Sequence, residues 1–341
     1  MAEKFMTVQE RIAAFEKLGN YIGAIDAITF KELSLTARNE NSWFTEDSVR
    51  QAFSGIVKYL NGSALAQWTA GYSFENKSPK RVAVITAGNI PLVGFHDLLA
   101  VLVSGNKLII RPSSKDTALM KYVISKLVEI EPRFESFIEF TEQQLRDFDA
   151  VIATGSDNSS RYFDYYFKKY PHIIRKNRSS CAILSGFESE EELTTLAADV
   201  FTYFGLGCRN VSKLFVPVEY DFAKLFESWQ SYEKVLLHHK YHNNYDYQKS
   251  ILLINRDEFL DNGFILLQEN KKLVSPISVL YYESYNDWND LIQKLNSQQD
   301  KIQCVVGNVS QASVRIGEAQ SPGLDDYADQ INTLKFLSSL G

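Results

Sequence analysis

Cysteine is scarce in this 341-residue chain. Cys181, Cys208 and Cys304 have neither the even count nor the close spacing of a disulfide framework or zinc site, so each needs its own explanation. No long basic run is present and the formal net charge is −6, which excludes a protein whose affinity comes from neutralising phosphates along a nucleic acid. The most apolar stretch, 90 to 103, is broken by His96 and Asp97 and is too short to span a bilayer. Glu3, Lys4, Glu10 and Arg11 interrupt the N-terminus where a signal peptide would be uniformly apolar. These absences predict a cytoplasmic protein with no nucleic-acid partner and no stable membrane insertion. Internal repeats, low-complexity segments and proline-rich linkers are absent as well.

What is present is enough apolar material, 45% of the residues, to build a large core, and the length suggests two domains. Residues 7 to 73 carry apolar positions at helical spacing, among them Val49, Phe53, Ile56, Val57 and Leu60, behind the cap residue Thr45. From about residue 80 short β-branched runs alternate with amphipathic segments: RVAVIT (81 to 86), KLIIR (107 to 111), SFIEF (136 to 140) and DAVIA (149 to 153). That alternation predicts a parallel, doubly wound sheet. A second series follows with CAILS (181 to 185), KLFVP (213 to 217), SILLI (250 to 254), ISVLYY (277 to 282) and IQCVV (302 to 306). The expected fold is α/β, with two doubly wound domains, a helical preface and an active-site cleft between the domains. The expected divisions are a helical region at 1–79, a cofactor-binding domain at 80–186, a catalytic domain at 187–310 and a helical tail at 311–341.

Cys181 and Cys304 sit inside apolar β-like runs, where cysteine behaves as a small buried hydrophobe. Cys208 lies in GLGCRNVSK (205 to 213), flanked by glycines and Arg209. Close backbone approach, an adjacent guanidinium and nearby amides would raise its thiolate fraction and make it a nucleophile; a structural thiol in a turn is the alternative. Asn89, beyond a strand's carboxyl end, offers an amide N–H to a developing oxyanion or, alternatively, caps a helix opening at Ile90 and Pro91. His238 and His242 have the i, i+4 spacing of metal ligands but no supporting acid, so no metal is expected. Lys168, Lys169, Arg175, Lys176 and Arg178 form either a solvated face or a phosphate-receiving cluster. Phe201, Tyr203 and Phe204 line an acyl tunnel or pack in the core.

The segment 85 to 114 resembles the aldehyde dehydrogenase superfamily pattern: an Asn before a Pro and an apolar helix, a Gly-Asn turn, then a strand ending in a basic residue and Pro. ATGS (153 to 156) and the glycine-flanked Cys208 follow in the superfamily's order. YFGLGCRNVSK and the tail PGLDDYADQINTLKFL (322 to 337) more closely resemble the LuxC-like acyl-CoA and acyl-protein reductases, over most of the chain beyond about residue 80. The resemblance implies reduction of a fatty acyl thioester, from acyl-CoA or an acyl-donating protein, through an acyl-Cys208 intermediate with Asn89 stabilising the oxyanions. It further implies that Thr86 lies near the nicotinamide, that Arg111, Ser113 and Ser114 approach the adenosine ribose, and that Gly155 and Ser156 open the helix facing the pyrophosphate. A homodimer is expected by the same likeness.

The departures are informative. Aldehyde-oxidising relatives use a Glu shortly before the second domain to activate water, but this chain reads HIIRKNRSS (172 to 180) there, without a carboxylate, which favours reduction over aldehyde oxidation, while Cys208, Asn89 and the glycine flanks argue against an idle scaffold role. A second Glu that holds the nicotinamide ribose in relatives corresponds to Lys272. Where NAD-specific relatives place an acid after the basic-Pro pair, Ser113, Ser114 and Lys115 stand, so NADPH is the expected cofactor.

Overall fold

The computed structural model describes residues 5–74, 78–155 and 157–340, with the backbone alone for 157–159. It divides into two compact units, one built from residues up to 176 together with those from 323, the other from 177–322.

The first unit opens with the expected helices. Helices α1 (Val8–Gly23), α2 (Ala27–Glu40), α3 (Glu46–Tyr59) and α4 (Gly62–Thr69) are each started by a side chain that accepts from first-turn amides: Thr7, Asp26, Thr45 and Asn61. At α1 the cap is a reciprocal Thr7–Glu10 box. The apolar stripe Val49, Phe53 and Ile56 of α3 is buried, as its spacing predicts. Strands β1 (Arg81–Ile85), β2 (Lys107–Arg111), β3 (Ile138–Phe140), β4 (Ala150–Thr154) and β5 (His172–Arg175) form one sheet in the order β3-β2-β1-β4-β5, all parallel. Val82, Ala83 and Val84 of the central strand are wholly buried, which is why β1 reads as an unbroken apolar run. Helices α5 (Phe95–Val103), α6 (Thr117–Ile130) and α7 (Asp157–Phe167) connect the strands. The strand order reverses between β1 and β4, and an open α/β sheet forms its ligand crevice at the carboxyl edge of such a switch.

The last segment returns to this unit. Trp68 Nε1 donates to Tyr327 Oη at 2.7 Å, and Leu334 and Leu337 of the short helix Thr333–Ser338 are buried.

The second unit contains β6 (Ser179–Ile183), α8 (Glu190–Phe201), β7 (Val211–Pro217), α9 (Phe222–Trp229), α10 (His239–Asn255), β8 (Leu260–Asp261), β9 (Leu266–Glu269), β10 (Val279–Tyr285), α11 (Trp288–Asn296) and β11 (Ile302–Val306). Its sheet runs β11-β6-β7-β10-β9-β8, parallel except for the β8–β9 pair.

The structure departs from the expected elements at several points. SILLI (250 to 254) is the last part of α10, not a strand: only Leu252 of its leucines is buried, while Leu253 and Ile254 are exposed. A short apolar run cannot distinguish a strand from the end of a helix, and the strand beside β10 is β9 instead. The expected boundary near Ser185 compares with a division at Lys176, because β6 pairs with β7 and β11. Beyond residue 310 the expected helical tail is mostly turns, with one α-helix at Thr333–Ser338. Helix α5 starts at Phe95 behind Gly94, so Asn89 is not its cap.

Candidate active site

Six of the sequence-derived cofactor residues lie at the carboxyl edge of the first sheet. Thr86 follows β1 and its N–H donates to Arg111 O at 3.2 Å, which sets it beside the end of β2. Its Oγ1 is buried and has no hydrogen-bond partner among the described residues. Gly88 closes onto Ser113: a Cβ there would lie 2.7 Å from Ser113 Oγ, so only glycine permits this approach. Asn41 Nδ2 donates to Gly88 O at 2.9 Å and holds the loop from the preface side. Arg111, Ser114 and Lys115 are exposed, and Ser113 is half-buried. Gly155 follows β4 across the switch point, just before α7; Ser156 lies outside the described residues.

Asp116 completes this edge and was not singled out by the sequence. It is 1% exposed, and its Oδ2 accepts from Leu92 N at 2.6 Å, fixing a residue whose φ is +55° in the loop that carries Asn89. Burial pushes its carboxyl up to about 8, with the Glu40 carboxylate adding to the rise and the Leu92 N–H opposing it. Glu40 itself accepts from Thr117 N and Ala118 N at the start of α6. Because the folded-state pKa lies above the ordinary 3.8, the native protein binds more protons than the unfolded chain between those values, and Asp116 makes stability fall as pH rises through that window. Asp116→Asn is therefore expected to flatten the decline in stability between about pH 4 and 8, by at most roughly 1.4 kcal/mol per pH unit. Urea unfolding across that range measures it; an unchanged slope would show that Asp116 does not titrate there.

In the second unit, α8 ends at Phe201 and the chain reverses sharply before Cys208. Tyr203, Phe204 and Gly205 take φ of +54°, +56° and +79°. Two aromatic residues in the left-handed region cost roughly 1–2 kcal/mol each, so surrounding contacts must hold them there. Phe204 packs on His238 at 4.6 Å and on Tyr241 at 6.1 Å. Asn210, 1% exposed, supplies the polar contacts: Nδ2 donates to Thr202 O at 2.7 Å, Asp199 O at 3.1 Å and Val200 O at 3.3 Å, and Oδ1 accepts from Gly207 N at 2.8 Å. Ser180 Oγ donates to Cys208 O at 3.0 Å from β6. The fully buried Asp199 accepts from Gly317 N and Ala319 N, while Arg209 Nε donates to Ala319 O at 2.6 Å. Burial pushes Asp199 up to about 6 against those two amides and the Arg209 charge. Cys208 is thus the half-buried apex of a turn fixed by β6, the end of α8 and the 317–319 segment.

The other thiols differ. Cys181 is fully buried and pushed up to about 12, chiefly by burial, and Cys304 is buried with its Sγ 3.1 Å from Ser180 Oγ. Two members of the basic cluster are committed to partners within the fold, while Lys168, Lys169 and Lys176 are exposed. Arg175 is 3% exposed and is spent on Asp97, Ala328 O and Thr333 Oγ1, while Arg178 donates to Ile302 O. Phe201 is buried and packs against Trp229, Tyr232 and Phe264, the core placement among its two expected alternatives. His242 pairs with Asp246 at 3.5 Å on the surface of α10, and among the described residues no cluster of His, Cys, Asp or Glu is arranged for a metal. Lys272 lies exposed in the turn after β9.

Residues 46–227, more than half of the chain, match the family model described as acyl-CoA reductase (LuxC). The chain belongs to this family. The match runs from α3 through Asn89 and Cys208 into α9. Within reach of the LuxC family is the long-chain acyl-protein thioester reductase of Aliivibrio fischeri, 23% identical over 290 residues, covering 76% of this chain and 58% of that protein. The chain therefore spans less than two thirds of the length of that relative. Among solved structures, aldehyde dehydrogenase 21 of Physcomitrella patens, in complex with succinate, matches with a TM-score of 0.71 at 12% identity, over 99% of this chain and 85% of that one. An NADP-dependent enzyme of E. coli matches with a TM-score of 0.66 at 12% identity, over 92% and 78%. An aldehyde dehydrogenase of Mycobacterium tuberculosis complexed with NAD+ matches with 0.61 at 14%, over 85% and 71%. The LuxC-type chain thus has the aldehyde dehydrogenase fold. No helix among the described residues is long and apolar enough to cross a membrane.

Proposed function

We propose that the chain reduces a fatty acyl thioester to the aldehyde through an acyl intermediate on Cys208. The observation that carries this reading is the difference among the three thiols: Cys208 alone is partly exposed, on a glycine-flanked turn, whereas Cys181 and Cys304 are buried. The thiolate of Cys208 attacks the thioester carbonyl, the C–S bond to the carrier breaks, and the carrier leaves as its thiolate, which takes a proton from solvent. Asn89 donates a hydrogen bond to the carbonyl oxygen as it gains charge. A nicotinamide, when bound, would supply the hydride that reduces the acyl group. Breaking the bond to Cys208 releases aldehyde and restores the thiolate. The stretch 172–180 offers no carboxylate to activate water, so the acyl-enzyme is shielded from the hydrolysis that would make an acid. The carrier is CoA or a protein thiol, in keeping with the name of the Aliivibrio fischeri relative.

The residues at the sheet edge suit a dinucleotide. Thr86 Oγ1 is an orphaned buried hydroxyl at the switch point, and Gly88 lets its loop close onto Ser113, which brings the ends of β1 and β2 together at that edge. Arg111, Ser113, Ser114 and Lys115 would hold the adenosine end. Asp116, the nearest acid beyond them in sequence, is turned inward to Leu92 N, so it presents no carboxylate to a ribose. NADPH is therefore expected to support turnover better than NADH, and Lys115→Glu to shift preference toward NADH. Ratios of kcat/KM for the two cofactors measure this; equal values in the parent, or no shift in the variant, would place phosphate recognition elsewhere. The reading as a whole is tested by supplying a fatty acyl-CoA with NADPH and assaying aldehyde. Acid formed from aldehyde, with no reduction of the thioester, would instead make this an oxidising enzyme.

A further inference from the structure

We propose that Asn210 is the positioning residue of the nucleophile, holding the Cys208 thiol in its reactive orientation; this rests on reading Cys208 as the nucleophile. The chain must pass from the end of α8 to the start of β7 through the left-handed residues 203–205 and the turn 207–210 that bears the thiol. Asn210 is the last residue before β7, so its backbone is held by the sheet. From that anchored point its side chain reaches both ways. Nδ2 collects the carbonyls of Asp199, Val200 and Thr202 around the end of α8, and Oδ1 receives Gly207 N at the opening of the turn. The backbone N–H of Asn210 also donates to Gly207 O at 3.1 Å, closing the turn around Cys208.

No other residue type meets these demands. The site needs two donors facing three carbonyls and one acceptor facing an amide, at the reach of a single methylene. Aspartate would present a second oxygen to the three carbonyls, alanine supplies neither group, and glutamine is one carbon too long for a cavity in which Asn210 is 1% exposed. Ser180 Oγ restrains the Cys208 carbonyl from the other side at 3.0 Å. The thiol is consequently carried on a peptide fixed at both ends, and a loss of either restraint leaves Cys208 present but misaimed. A small misplacement of a reacting atom is costly in rate without altering substrate affinity.

The test uses the full-length protein with Asn210→Ala, Asn210→Asp and Ser180→Ala. Three quantities are read: kcat and KM for reduction of a fatty acyl-CoA, the pH profile of Cys208 alkylation by iodoacetamide located by peptide mapping, and the thermal melting curve. The expected result for both Asn210 variants is a kcat lowered at least tenfold with KM within twofold, and a parallel fall in the Cys208 alkylation rate at temperatures well below melting. Ser180→Ala, which keeps the Asn210 bonds, is expected to show a smaller loss of the same pattern and guards against an unfolded Asn210 variant. Folded Asn210 variants with parental kcat and alkylation rate would overturn the proposal, as would a kcat loss with unchanged alkylation. Full activity of parent protein alkylated at Cys208 would instead sink the nucleophile reading on which it rests.

Discussion

Cys208→Ser is expected to lower aldehyde formation by roughly 10³-fold or more, because an unactivated hydroxyl is a far poorer nucleophile than a thiolate near neutral pH. The parent protein should also carry the missing step visibly. Incubated with a fatty acyl-CoA and no nicotinamide, its intact mass should rise by one acyl group, and peptide mapping should place that group on Cys208. The two other thiols serve as internal controls: both are buried, and Cys181 is pushed up to about 12, so neither should be acylated. The adduct should persist, since no carboxylate lies in 172–180 to activate water, and NADPH should discharge it as aldehyde. Label on another residue, or normal turnover by the serine variant, would require hydride transfer to the free thioester or a different site.

Asn89→Ala is expected to lower kcat by about 10²-fold to 10³-fold, the usual cost of one oxyanion donor. A helix cap at this position would predict a different pattern, about 1 kcal/mol of lost stability with near-normal turnover. That alternative has no support in the fold: α5 begins behind Gly94, and Asn89 is exposed on the loop before it. Asn41 at Gly88 and Asp116 at Leu92 also hold the loop, so a loss of kcat larger than any shift in melting temperature would mark a role in the chemistry. Steady-state kinetics beside a melting curve separate the cases. Unchanged kcat would remove Asn89 from the chemistry.

Three central strands of the first unit were legible because parallel strands covered on both faces read as continuous apolar runs, and 81–86, 107–111 and 149–153 gave β1, β2 and β4; the edge strand β5 at His172–Arg175, too short and too basic for that pattern, was not among the expected strands. The same criterion failed at 250–254, where a helix ends in an equally apolar run. Cys208 stood out because glycine and arginine neighbours differ from the apolar setting of Cys181 and Cys304. Asn210 and Asp116 did not stand out, although the structure gives both a part in holding a candidate loop. Their partners are mostly backbone carbonyls and amides, which leave no residue-type signature. Arg175 was misread for a related reason: its partners Asp97 and Thr333 lie 78 and 158 residues away, so its charge looked like part of a solvated cluster. Spacing reveals periodic burial well, and it reveals buried polar pairing only when the partners are local.

The first unit is discontinuous along the chain, and this sets an order on its assembly during synthesis. Arg175 can meet Asp97 as soon as both have emerged, but Ala328 and Thr333 arrive only after the whole of 177–322 has been made. Trp68 waits equally long for Tyr327. Until then the nascent first unit exposes surface that its final segment will cover, a condition that favours transient association with other chains. During synthesis, closure of this unit by its own tail therefore cannot precede emergence of the cysteine-bearing unit.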